Sequence, residues 1–175
     1  LVMYAPTWRD FKRTATGKWD TVNFLDENIQ LPEGFQLLFR GHHNTHAAHT
    51  DSVAGNAIDV TKYPDVTDLY LAADVLVTDY SSVMFDYTVT GKPILFLAPD
   101  LERYRSERGF YFDYEAEVPG PILNTDAQLQ AALENLPALT AEYAPKYRAW
   151  QAKFDHAEDG QAAKRVVDIV WGDSQ

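Results

Sequence analysis

Residues 69–86, LYLAADVLVTDYSSVMFD, constrain the fold of this chain more than any other stretch. Val75, Leu76 and Val77 make a short apolar run, β-branched at two of its three positions. Such a run suits a strand buried on both faces, as in parallel sheets. It stops at Thr78-Asp79-Tyr80-Ser81-Ser82, and a segment able to form a helix follows up to Gly91. The local order is strand, hydroxyl-rich turn, helix. In an open α/β sheet, the turn after a strand's carboxyl end is where ligands bind. The first amides of the following helix lack intrahelical partners, point outward and carry partial positive charge. With Ser81 and Ser82 adding hydroxyls, the turn can hold a phosphate or diphosphate. Serine is also a common helix N-cap, so either residue alone is accounted for by capping. Asp79 has three readings: a helix cap, a partner for a ribose hydroxyl, or a carboxylate turned away.

The pattern around this unit repeats its order. Strands are expected at residues 1–5, 35–40, 57–60, 75–78 and 94–97. Helices are expected at 21–29, 66–73, 83–89 and 101–107, with 11–20 as a polar loop. Strands alternating with helices predict an α/β, Rossmann-like parallel sheet with helices on both faces. Residues 109–121, GFYFDYEAEVPGP, read as a loop crossing the sheet's end. Beyond about residue 122, three helices are expected to pack on the same domain. The first covers 125–136, capped by Thr125 or Asp126. The second covers 140–154, with Pro145 tolerable only near its start. The last begins at Asp159 and packs Ala163, Val166, Val167, Val170 and Trp171. One domain over 1–175 is the expected organisation. The chain opens inside a strand, which suggests a fragment of a longer protein.

Composition narrows the partners. The formal charge of −11 over 175 residues disfavours nucleic acid and anionic membrane as direct partners. The absence of cysteine removes disulfide frameworks and thiolate metal sites, and fits a reducing compartment. No apolar run approaches the roughly 20 residues that span a bilayer. A phosphate ligand would therefore need a local reversal of the field, and Arg9, Arg40, Lys92, Arg103, Arg105 and Arg108 are the candidates for it.

Arg9 leaves the first strand's carboxyl end in TWRD, so it is either a surface residue or a neighbour of Ser81 in one crevice. Arg40 closes the second strand and is followed by GHHNTHAAH, which holds four of the five histidines. Spacings such as His42 to His46 suit zinc on a helix, yet the residues before them read as a strand end. The other readings are a solvated loop, or a histidine facing a phosphate as donor or general acid. His42, one residue beyond Arg40's neighbour, is the choice for the last. Asp86 lies one turn after Ser82 on the same helix face, either as an exposed carboxylate or within reach of a ribose diol.

These segments together carry a resemblance. YAPTWRD, LLFRGHH, DLYLAADVLVTDYSSVMFDY, KPILFLAPD and RGFYFDYE…PGP, in this order over residues 2–121, resemble the CDP-glycerol glycerophosphotransferases of teichoic-acid synthesis in the bacterial cell wall. The resemblance implies the C-terminal, donor-binding half of a GT-B fold, whose N-terminal acceptor domain is absent from this chain. It implies transfer of glycerol phosphate from CDP-glycerol, or a related CDP-alditol, to an acceptor hydroxyl with release of CMP, without metal or cofactor. Carried over, Ser81 and Ser82 hold phosphate, Asp86 meets ribose, Arg9 and Arg40 bind substrate, and His42 is catalytic. His43 beside it leaves the choice of histidine open. The acceptor, a polyol phosphate or a lipid-linked one, would be held by the missing domain. The chain itself would be inactive alone, cytoplasmic, and without direct membrane contact. The full-length enzyme would be peripheral at the inner face of the membrane. The alternatives are a GT-B glycosyltransferase or epimerase half using a UDP-sugar, and a non-catalytic nucleotide-binding module.

Overall fold

The computed structural model describes residues 1–13, 19–20, 24–26, 29–41 and 57–172. Its centre is a six-stranded sheet, every neighbouring pair of which is parallel. The strands are β1 (Val2–Ala5), β4 (Leu37–Phe39), β5 (Ile58–Asp59), β6 (Val75–Thr78), β7 (Ile94–Leu97) and β8 (Ile122–Leu123). Their order across the sheet is β5-β4-β1-β6-β7-β8. Strand order therefore reverses between β1 and β6, and the chain leaves these two neighbours in opposite directions. A crevice opens at such a point in doubly wound sheets.

Period-two alternation sorts the strand side chains into two cores. Val2, Tyr4, Leu37, Phe39, Val75, Val77, Leu95 and Leu97 face one side, where Leu129, Ala132 and Leu133 of helix α5 (Asp126–Glu134) cover them. Met3, Ala5, Leu76, Ile94 and Phe96 face the other. They are covered by α1 (Val66–Ala72), α2 (Val83–Thr88), α3 (Leu101–Glu107), α4 (Tyr114–Glu117) and Trp150 of α6 (Leu136–Phe154). Helices on both faces of a parallel sheet are the expected class. Local signals hold at several ends. Asp65 accepts the Thr67 amide at 2.8 Å to cap α1, and Thr125 accepts the Gln128 amide at 3.2 Å to cap α5.

Several elements depart from expectation. Residues 24–26 are not helical, although Leu25 and Ile29 are buried in the first core. The segment read as a loop after Arg9 holds β2 (Arg9–Arg13), antiparallel to β3 (Trp19–Asp20). The loop at 109–121 contains α4 and leads into β8, the unforeseen sixth strand. Pro145 lies well inside α6, which begins at Leu136. The last helix, α7 (Ala162–Trp171), forms as expected, but Val166, Val167, Ile169, Val170 and Trp171 are exposed. Each of these five residues is at least half exposed. No described helix is long and apolar enough to cross a membrane.

Candidate functional site

The switch point is built by side chains from three strand ends. Thr78, the last residue of β6, donates its hydroxyl to the Ala5 carbonyl at 2.7 Å and ties β6 to β1. Asp79 follows, 1% exposed. Its Oδ1 accepts from the Thr7 amide, the Thr7 hydroxyl and the Tyr80 amide at 2.8, 2.6 and 2.6 Å. Its Oδ2 accepts from Arg9 Nη2 at 2.8 Å. Of the three readings of Asp79, the structure shows the carboxylate turned away from the turn. Burial pushes its pKa above the ordinary carboxylate value, against the pull of Arg9 and Thr7.

Ser81 and Ser82 come next, half-buried and exposed respectively. The expected row of outward amides is not what forms here. The Val83 amide donates to Ser81 Oγ at 3.4 Å. The Met84 and Phe85 amides donate to the Ser81 and Ser82 carbonyls at 3.2 and 3.0 Å. The tight first turn of α2 thus satisfies its own donors, as short helix starts often do. Ser82 makes no capping bond with its side chain. What the turn offers outward is hydroxyl chemistry.

Arg9 lies beyond the carboxyl end of β1, as expected, but it opens β2 and its guanidinium does not face the crevice. Its side chain is closed to solvent. Nε and Nη2 donate to Asp100 at 2.8 and 3.0 Å, and Nη1 donates to the Thr7 carbonyl at 2.6 Å. The Tyr80 ring lies 4.8 Å from the guanidinium carbon, and the Tyr104 and Phe24 rings lie 5.3 Å away. Burial works against the Asp100 charge, but the Arg9 and Tyr80 donors outweigh it and hold its pKa below the usual carboxylate value. Asp100 and Tyr80 were not among the expected site residues. The strand-end position of Asp100 was the available signal.

Arg40 and Asp86 act on Tyr70 with opposite charge. Arg40 Nη1 donates to the Val60 and Tyr63 carbonyls at 3.1 and 3.0 Å, drawing that segment over the end of β4. The Tyr70 phenol is pushed up to about 12, by burial and then by the charge of Asp86, against the pull of Arg40. Asp86 is exposed. Partial burial raises its carboxyl pKa, and the charges of Glu158 and Asp155 add to the rise. His42, with His43, His46 and His49, lies outside the described residues.

An open cleft of about 390 Å³ adjoins the turn. Ser82, Phe85, Tyr104, Phe110, Phe112 and Phe154 are among its walls. The 109–112 segment, expected only as a loop across the sheet's end, thus lines this cleft.

Residues 1–172 match the model of the family described as CDP-Glycerol:Poly(glycerophosphate) glycerophosphotransferase. The chain belongs to this family. Among relatives of this glycerophosphotransferase family member is the teichoic acid glycerol-phosphate transferase of Staphylococcus aureus (strain NCTC 8325 / PS 47). It is 40% identical over 175 residues, a match covering 98% of this chain and 45% of that protein. A teichoic acid poly(glycerol phosphate) polymerase of Bacillus subtilis (strain 168) is 34% identical, covering 98% of this chain and 24% of that protein. The chain thus spans under half the length of these relatives. Among solved structures, that of the wall teichoic acid polymerase TagF superposes with a TM-score of 0.77 at 34% identity, covering 96% of this chain and 41% of that one. A variant of TagF soaked with CDPG superposes at 0.72.

Proposed function

We propose that this glycerophosphotransferase family member forms the donor-binding half of an enzyme moving glycerol phosphate from CDP-glycerol to an acceptor hydroxyl in teichoic-acid synthesis. The observation that carries the reading is the place of Ser81 and Ser82. They stand at the carboxyl end of β6, beside the reversal of strand order, in a chain of this family. Their hydroxyls would meet the diphosphate oxygens. Asp86, one turn on, would accept from the ribose diol, and Arg40 would add positive charge on that side. His42, in the loop after Arg40, would donate to the diphosphate. Arg9 has its donors committed to the protein, so its part is support.

In the reaction, the acceptor oxygen would attack the phosphorus that bears glycerol. The bond from that phosphorus to the bridging oxygen breaks, CMP leaves with the electron pair, and the hydroxyl proton passes to a base. Donors fixed where charge develops on the leaving phosphate lower the barrier. The acceptor, a polyol phosphate or its lipid-linked form, would be held across the cleft by a second Rossmann-like domain. This half would then act on the cytoplasmic side, in a full-length protein peripheral to the membrane.

Calorimetric titration of the full-length protein with CDP-glycerol tests the reading. Micromolar to millimolar binding, weakened at least tenfold by Ser82→Ala or Ser81→Ala, is the expected result. Preference for a UDP-sugar, or serine variants that bind as well as the parent, would refute it.

A further inference from the structure

A guanidinium shut away directly beneath a phosphate-binding turn calls for a role other than touching the ligand. Nε and Nη2 of Arg9 form a fork on Asp100, and Nη2 also meets Asp79. Two carboxylates already more than offset its single charge, so a phosphate would have to displace one of them to reach it. The cluster joins three segments that leave the sheet: Arg9 opens β2 just beyond β1, Asp79 follows β6 directly, and Asp100 lies a few residues beyond β7. Lysine at this point would supply charge without direction. Arginine's rigid planar fork sets the angle at which two carboxylates approach.

Tyr80 transmits that geometry. Its amide donates to Asp79 at 2.6 Å and its hydroxyl donates to Asp100 at 2.9 Å. Its ring lies against Arg9 on one side and is stacked on Tyr104, 3.9 Å between centroids, while Tyr114 packs 5.4 Å away. The Tyr114 hydroxyl in turn donates to the Asp79 carbonyl at 2.8 Å. Residues 79 and 80 therefore have backbone and side chain both tied, and Ser81 is the next residue. The cluster fixes where the two serine hydroxyls stand.

We infer that Arg9 is a positioning residue for nucleotide-diphosphate binding, acting through Asp79, Asp100 and Tyr80 on the Ser81–Ser82 turn without touching the ligand. The inference rests on the reading of that turn given under the proposed function.

The test compares Arg9→Lys, Tyr80→Phe and Asp100→Asn with the parent in the full-length protein. Two quantities are measured: hydrogen–deuterium exchange of residues 79–85 without ligand, and affinity for CDP-glycerol and for cytidine, which lacks phosphate. Each variant is expected to raise exchange in this segment about tenfold. Each should weaken CDP-glycerol about tenfold and leave cytidine unchanged. Tyr80→Phe removes only a hydroxyl, so it carries the test if the buried arginine cannot be replaced in a folded protein. Loss of CDP-glycerol affinity in Arg9→Lys, with exchange unchanged and Tyr80→Phe silent, would make Arg9 a direct ligand and overturn the inference. Faster exchange with unaltered CDP-glycerol affinity would overturn it too, leaving a purely structural cluster. A parent that does not bind CDP-glycerol overturns the functional reading instead. The two failures are distinct, because the exchange measurement needs no ligand.

Discussion

Asp79 takes both hydrogen-bond donors of one residue, Thr7, on a single carboxylate oxygen, the amide at 2.8 Å and the hydroxyl at 2.6 Å. The two residues lie on the segments leaving β1 and β6, so this contact closes the floor of the crevice where strand order reverses. The same carboxylate balances buried Arg9. Asp79→Asn keeps an oxygen for Thr7 but turns an amide toward a guanidinium. Breaking one side of a buried ion pair typically costs about 3–5 kcal/mol. Urea unfolding of Asp79→Asn should show a loss in that range. A loss below about 1 kcal/mol would mean that the pair is not what holds the floor.

Lys92 serves a helix it does not belong to. Its ammonium donates to the Leu71 and Ala73 carbonyls at 2.6 and 2.7 Å, at the carboxyl end of α1. That helix has no basic residue in its last turn. Cations at helix carboxyl ends stabilise, and so do charged hydrogen bonds to their carbonyls. Lys92→Met preserves the stem and removes the charge. It should lower stability by roughly 1–2 kcal/mol, read as a shift in thermal midpoint. An unchanged midpoint at low salt would contradict this.

Gly120 is required by space. A Cβ there would lie 1.9 Å from the Ile94 carbonyl oxygen and 3.4 Å from the Phe96 ring. Both neighbours belong to β7, which gives way only if the sheet moves. Gly120→Ala should cost about 3 kcal/mol or more, the upper range for overpacking. Chemical denaturation measures it, and a variant as stable as the parent would show that the β7–β8 edge is loose.

Asp86 bears a penalty that fits its proposed use. Its carboxyl pKa is raised by partial burial, with Glu158 and Asp155 adding like charge, while the Tyr70 hydroxyl works the other way. A carboxyl whose folded pKa exceeds its unfolded value costs stability as pH rises from the unfolded value through the folded one. The cost is absent well below the unfolded value and complete above the folded one. Asp86→Asn should therefore raise the thermal midpoint at pH 7, with the gain vanishing toward pH 3. The same variant should weaken binding of a ribose-bearing ligand. A gain of equal size at both pH values would show that Asp86 ionisation is not the cause. Function drawn from a locally unfavourable group is a familiar trade.

Much of the architecture was legible because it is written in short-range patterns. Apolar runs such as residues 75–77 and 94–97 bury both faces of a strand and need no distant information to be read. The helix at 125–136 carried both a cap and a periodic face, and it formed as α5 with Thr125 as its cap. The failures follow the same logic. β8 is two residues long and exists because β7 offers it an edge. Leu25 and Ile29 have helical spacing but fill the core from irregular backbone. The residues of α7 are more clearly amphipathic than those of α5 or α6, yet periodicity says only that one face is apolar. It does not say what covers that face.

The candidate site divides in the same way. Ser81, Ser82 and the strand-to-helix turn that presents them follow from local order, since a buried apolar strand must end where polar residues begin. Their neighbours do not follow from it. Arg9 and Asp100 are 91 positions apart, and nothing near either residue tells a surface arginine from one buried among protein acceptors. Which charges neutralise one another, and which remain to meet a ligand, depends on burial. Burial is a property of the packed chain: desolvating a guanidinium is tolerable only where carboxylates from other strands converge on it.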